Sequence, residues 1–227
     1  MMDWVTMGLI VVAGSQLGLG ILVLLRNPNN KINISFFLVA ISLFFWVLFT
    51  AQSRLATDLA SAQLLFQLKF SFGLLIALFF QIFTLFFPYQ KTKINFIAQF
   101  LILLPVFASI LVVIFWPHYA IERISFAQYH NFILVNKIYW FLFSSSFTLC
   151  FAIAFIRLYK RWKEQGGFFK TQLQYVLFSA LVPTVFAWFF NVIFFFFNEY
   201  SYDWLGAFLT FIFSFPLYYF IFYYQKN

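Results

Sequence analysis

The chain has 227 residues, of which 64% are hydrophobic, 26% aromatic and only 9% charged, with a mean hydropathy of +0.92. That is more apolar surface than a soluble core can hide, so the chain belongs in a bilayer, and its continuous apolar runs of about 20 residues exclude the alternating strands of a β-barrel. The net charge of +8 calls for no nucleic acid, because basic cytoplasmic loops facing anionic lipid produce it.

The predicted fold is an all-α integral membrane protein, one seven-transmembrane helix bundle over residues 1–227 with spans at about 4–25, 34–51, 64–87, 95–116, 132–158, 172–197 and 204–224. Each lies near the ~20 residues a helix needs to cross the hydrocarbon. Span 1 is not a cleavable leader, since "MMD" lacks positive charge, the apolar run is too long and the basic residues follow it. Arg26 and Lys31 follow span 1, and Lys91 and Lys93 follow span 3. Arg157, Lys160, Arg161, Lys163 and Lys170 lie between spans 5 and 6, and Lys226 follows span 7. All fall on one side, whereas Arg54, Arg123, Asp3, Asp58, Glu122, Glu199 and Asp203 fall on the other. The N-terminus is therefore expected outside and the C-terminus in the cytoplasm.

Polar residues inside spans are costly in lipid and point to function. Lys69 is placed about five residues into span 3, and Lys137 about five into span 5. Their ammonium groups either snorkel to water or, with Asn191, Tyr139 and Trp140, line an outward-facing pocket for an anionic ligand or lipid headgroup. Pro183, near the middle of span 6, cannot donate to the carbonyl of Ser179; it is a candidate conformational hinge or a static kink. Asn191, about two turns further on, must find a partner in the bundle. No Asp or Glu lies within a predicted span, which argues against proton- or sodium-coupled transport.

No catalytic residues and no metal or other cofactor are expected. His118 and His130 share the loop after span 4 without a Cys or carboxylate pattern that would make a metal site. There is no phosphate-cradling Gly-rich loop and no G-x-S-x-G elbow. Ser144, Ser145, Ser146 and Thr148 fit bonding to helix backbone or a neighbouring helix, and the lone Cys150 has no partner in the chain.

Several fragments carry a resemblance: "LLRNPNNKINISFFLVAISLFFW" after span 1, "FTLFFPYQ" closing span 3, the basic loop leading into "KTQLQYVLFSALVP", the Asn of "FFNVIFFF", and "YDWLGAFLTFIFSFPLYYFIFYY". Over essentially the whole chain they resemble the N-terminal seven-transmembrane region found ahead of bacterial and archaeal histidine kinases and diguanylate cyclases. The resemblance implies a sensory input domain without enzymatic activity of its own. Arg26, Asn27, Pro28, Gln172, Pro183, Asn191, Asp203 and Gly206 would be its family-like positions. After Tyr224 the chain ends at "QKN", so the output module is expected on a separate chain or a missing segment, unless the sensor stands alone. The implied partners are membrane lipids, a small ligand of unknown identity, a cytoplasmic kinase or cyclase module and a second copy in a homodimer. The implied location is the plasma membrane of a bacterium or archaeon. The competing readings are a small transporter or channel for a lipid-like or neutral solute, and an accessory subunit docking through Lys160, Arg161 and Lys163.

Overall fold

The structure, a computed structural model, describes residues 3–88, 96–126, 131–194, 197 and 202–223. Lys91, Lys93, His130, Glu199 and Lys226 lie outside the described residues, as do the expected boundaries at 95 and 224. In hydrocarbon every backbone N–H and C=O must be satisfied within its own segment, so the apolar runs become helices. These are α1 (Trp4–Arg26), α2 (Lys31–Ser53), α3 (Leu59–Phe86), α4 (Phe96–Phe115), the short α5 (Pro117–Ala120), α6 (Lys137–Glu164), α7 (Gly167–Trp188) and α8 (Asp203–Tyr223). A π-helical turn, Phe189–Ile193, continues α7.

Local chemistry sets where they start. Asp3 accepts from the Thr6 amide at 2.8 Å, Asn30 from Ile32 at 2.8 Å and Asp58 from Ser61 at 2.9 Å. These are side-chain caps on otherwise orphaned N-terminal donors. Between α6 and α7 the chain reverses at Gly166, and Gly167 takes φ +56°, a conformation that strains any residue with a Cβ.

Among the described residues, five helices are long and apolar enough to cross a membrane: α1, α2, α3, α6 and the Gly167–Ile193 segment. This is a multi-pass helical membrane protein. The long helices overlap the seven predicted runs, with one correction. Span 5 was expected to begin at 132, but residues Ile121–Phe126 (β1) and Asn131–Val135 (β2) form an antiparallel hairpin, and α6 begins only at Lys137. The reason is readable afterwards. Ile133 and Val135 are buried while Leu134 between them is exposed, a period of two. Asn136 then caps α6 by accepting from the amides of Ile138 and Tyr139. Asn131 pins the hairpin down, its Nδ2 donating to the carbonyls of Ser53 (2.8 Å) and Ala56 (2.7 Å).

Six long helices form a closed ring in the order α1, α2, α3, α6, α7, α8 and back to α1, each packing on the next, while α4 lies against α3 and α6. Aromatic residues at helical spacing fill the α3–α6 seam: Trp140, Phe143, Phe147 and Phe151 of α6 run beside Phe70 and Phe80 of α3. One end of the ring carries the hairpin and the start of α8. The other carries the basic α6–α7 connection.

Candidate functional site

The stripe of α3 that faces the ring interior reads Lys69, Gly73, Ile76 and Phe80; that of α8 reads Asp203, Gly206, Ala207, Thr210 and Ser214. Both follow the three- and four-residue spacing of one helix face. Between them, and between α2, α6 and α7, lies a cavity of about 110 Å³. Its walls are mostly apolar: Val39, Leu43 and Trp46 from α2, Ile76 and Phe80 from α3, and Phe143, Phe147 and Phe151 from α6. Among the described lining residues, α7 and α8 supply Ser179, Thr184, Asn191, Thr210 and Ser214, and α2 adds the indole of Trp46, whose Nε1 lies beside Gly73. Each of the four hydroxyls already donates to a carbonyl of its own helix, at 2.6 to 2.7 Å. They therefore present only lone pairs to the space.

The Lys69 Nζ donates to Asp203 Oδ2 at 2.5 Å. Lys69 is 2% exposed and the Asp203 side chain 14%. Asp203 was expected in the outer turn just before span 7, and its pairing with Lys69 was not foreseen. Asp203 is the first residue of α8, where the helix N-terminus favours an anion. The pair joins two helices that are not neighbours in the ring, so it is a strut across the interior, about one helical turn beyond Gly73 at the hairpin end of the cavity. Snorkelling and an open anion pocket were the two expectations for Lys69; instead its charge is met by a side chain of the same protein.

Asn191 sits in the π-helical turn, a feature that recurs at functional sites. Its Nδ2 and Oδ1 are both buried and neither has a hydrogen-bond partner. The amide rests on bare backbone: a Cβ built on Gly206 would collide with its Nδ2. Pro183 also lines the cavity, eight residues before Asn191 on the same helix. Its missing N–H leaves the carbonyl of Ser179 without its usual donor.

The other expected pocket residues are placed apart. Tyr139 and Trp140 are buried but face α3, their rings 6.3 and 5.9 Å from that of Phe70. The Trp140 indole N–H donates to the carbonyl of Val192, itself a cavity residue, at 3.3 Å. Lys137 is exposed at the first position of α6 and does not join Lys69, because the hairpin takes up the residues that were expected to place it inside the span. Among the family-like positions, Asp203 and Gly206 flank the site, Arg26 closes α1, and Asn27 and Pro28 form the turn before α2. Gln172 is buried near the start of α7. Gly73, Trp46, Thr210 and Ser214 were missed; the small and polar spacing along "DWLGAFLTFIFS" was the available signal.

At the basic end, Arg157 donates to Gln81 O (3.0 Å) and Thr84 Oγ1 (2.9 Å). Arg161 donates to the carbonyls of Thr84 (2.7 Å), Leu85 (3.0 Å) and Phe87. Two guanidinium groups thus cap the C-terminus of α3, where orphan carbonyls and the helix dipole favour cations. Lys160 and Lys163 are exposed beside them. His118 is exposed against Tyr119, and among the described residues no group of His, Cys, Asp and Glu is arranged to hold a metal.

The profile of one protein family, the N-terminal 7TM region of histidine kinase, matches residues 9–226. No curated protein and no solved structure matches the chain. The matched stretch contains every cavity residue and both members of the strut, and the chain belongs to the family of N-terminal 7TM regions of histidine kinases.

Proposed function

We propose that this chain is the sensory input domain of a signalling system. It crosses the plasma membrane of a bacterium or archaeon seven times, with its N-terminus outside and its C-terminus in the cytoplasm. Occupancy of the ring cavity shifts α8, and α8 passes that shift to a cytoplasmic output module, a kinase or cyclase. The orientation is supported by Arg157, Lys160, Arg161 and Lys163 gathering at one end while the hairpin caps the other. The observation that carries the functional reading is the Lys69–Asp203 strut. The first residue of the last helix is held by charge from across the ring, directly above a cavity that holds an unpartnered amide. A ligand that changes the packing between α3 and α8 therefore acts on α8 itself, and the differential contact needed for a population shift is present.

The reading is tested by fusing the chain through α8 to a histidine-kinase module and reconstituting it in nanodiscs. Pro183→Ala and Asn191→Leu are expected to change basal autophosphorylation several-fold. Unchanged output from both, together with flux of a neutral solute through proteoliposomes, would replace the sensor with a transporter.

A further inference from the structure

We infer that the cavity is a binding site for a small neutral lipophile, about one ring in size, that carries a hydrogen-bond donor beside an acceptor. The inference rests on the cavity being the sensing site and names the chemistry it reads. Size comes first. About 110 Å³ is several times the space one water needs, and is somewhat below the ~150 Å³ of an engineered apolar cavity that binds benzene.

Charge comes second. Among the described residues no ionised side chain lines the cavity, and Lys69 and Asp203, on two of its lining helices, pair with each other at 2.5 Å. A charged ligand would lose its hydration and gain no counter-ion, so the site rejects ions. The pair's closure also argues against an anionic headgroup as the occupant.

Polarity comes third. The four wall hydroxyls have spent their protons on helix carbonyls. Among the described lining residues only Asn191 offers a donor and an acceptor together, and both of its polar atoms are buried without partners. Buried amides left so are rare and costly. Because Gly206 has no side chain, the amide lies against the α8 backbone at the cavity wall, where an occupant meets it. A primary amide, lactam or oxime in the cavity then exchanges two hydrogen bonds with it. The phenyl faces of Phe143 and Phe147 hold the rest of the molecule.

The test uses the full chain in nanodiscs and fluorine NMR of three ring-fluorinated probes: benzamide, benzoate and toluene. Wild type is expected to bind benzamide most tightly and benzoate not at all. Asn191→Leu is expected to weaken benzamide about tenfold or more while leaving toluene within about twofold, as loss of the amide hydrogen bonds requires. Thr184→Phe, which fills the cavity from α7, is expected to abolish both and so separates the site from partition into lipid. Equal benzamide binding by wild type and Asn191→Leu overturns the inference, showing an amide served by water alone; so does benzoate binding as tight as benzamide. Probe added to the bulk before reconstitution or delivered in the lipid distinguishes aqueous from membrane supply by the rate of uptake, with the same final occupancy. If benzamide binds as expected yet leaves the kinase fusion's output unchanged, the sensor reading fails while the site stands.

Discussion

The two ends of the helix ring solve the same problem in opposite ways. At the basic end, Arg157 and Arg161 from α6 donate to the last carbonyls of α3, so two neighbouring helices are tied to each other by several bonds at once. At the hairpin end, the strong polar contact runs between helices that are not neighbours in the ring, and two atoms of Asn191 are left without partners beside a cavity. An end tied by several bonds is stiff, because a shift of α6 against α3 loses them together. An end with a strut and unmet polar groups has alternatives close in energy, which is what a ligand needs in order to choose between them.

The comparison breaks most violently at the strut. Lys69→Met leaves the Asp203 carboxylate buried without its partner, and is expected to lower stability by about 3 kcal/mol, read as a fall in the melting temperature of the purified chain. The double variant Lys69→Met, Asp203→Leu is expected to recover most of that loss, because a paired charge and two apolar groups of similar volume are near equivalents in a buried site. Failure of the double variant to recover would mean that the two side chains do not interact.

At the stiff end, Arg161→Ala removes donors from three carbonyls and is expected to cost about 2 kcal/mol. Arg161→Lys is expected to rescue only part of it, since an ammonium cannot reproduce the guanidinium fork. The loss should leave benzamide binding intact, which thermal shift with and without the probe would check.

Asn191→Leu carries the opposite sign. Removing an unsatisfied buried amide is expected to raise stability by about 1 kcal/mol, so the variant that loses recognition melts higher than wild type. A lower melting temperature would show that the amide is paired in the membrane.

The smallest effect belongs to Asp3, which accepts from Arg54 at 2.7 Å at the hairpin end. Burial pushes its carboxyl up, but the bonds from Thr6 and Arg54 outweigh that and hold it at about 2, below the ordinary 3.8. A depressed carboxyl stabilises the folded state above pH 3.8 and loses that contribution as pH falls toward about 2. Asp3→Asn is expected to cost less than about 1 kcal/mol at neutral pH, as for other partly exposed pairs, and to flatten the acid limb of a stability profile between those two values.

Much of this was legible in the sequence for one physical reason: hydrocarbon forces apolar runs into helices, so the runs mark the helices. Pro183 and Asn191 stood out because each is costly in such a run, and both line the cavity. The hairpin was hidden because "NFILV" is as apolar as the helix it precedes, and only its period of two and the Asn136 cap separate them. The strut was hidden by distance. Lys69 and Asp203 are 134 residues apart, and the residue types said only that each needed a partner. Lys137 misled for the complementary reason, since its depth was counted from a helix start that belongs to a strand.

The most direct test of the central claim, that the strut couples the cavity to α8, is autophosphorylation of the kinase fusion in nanodiscs for wild type, Lys69→Met, Asp203→Asn and the double variant Lys69→Met, Asp203→Leu. Both single variants are expected to shift output about tenfold in the same direction, and the double variant to regain stability yet no longer respond to benzamide. Output and response identical to wild type in all three variants would contradict it.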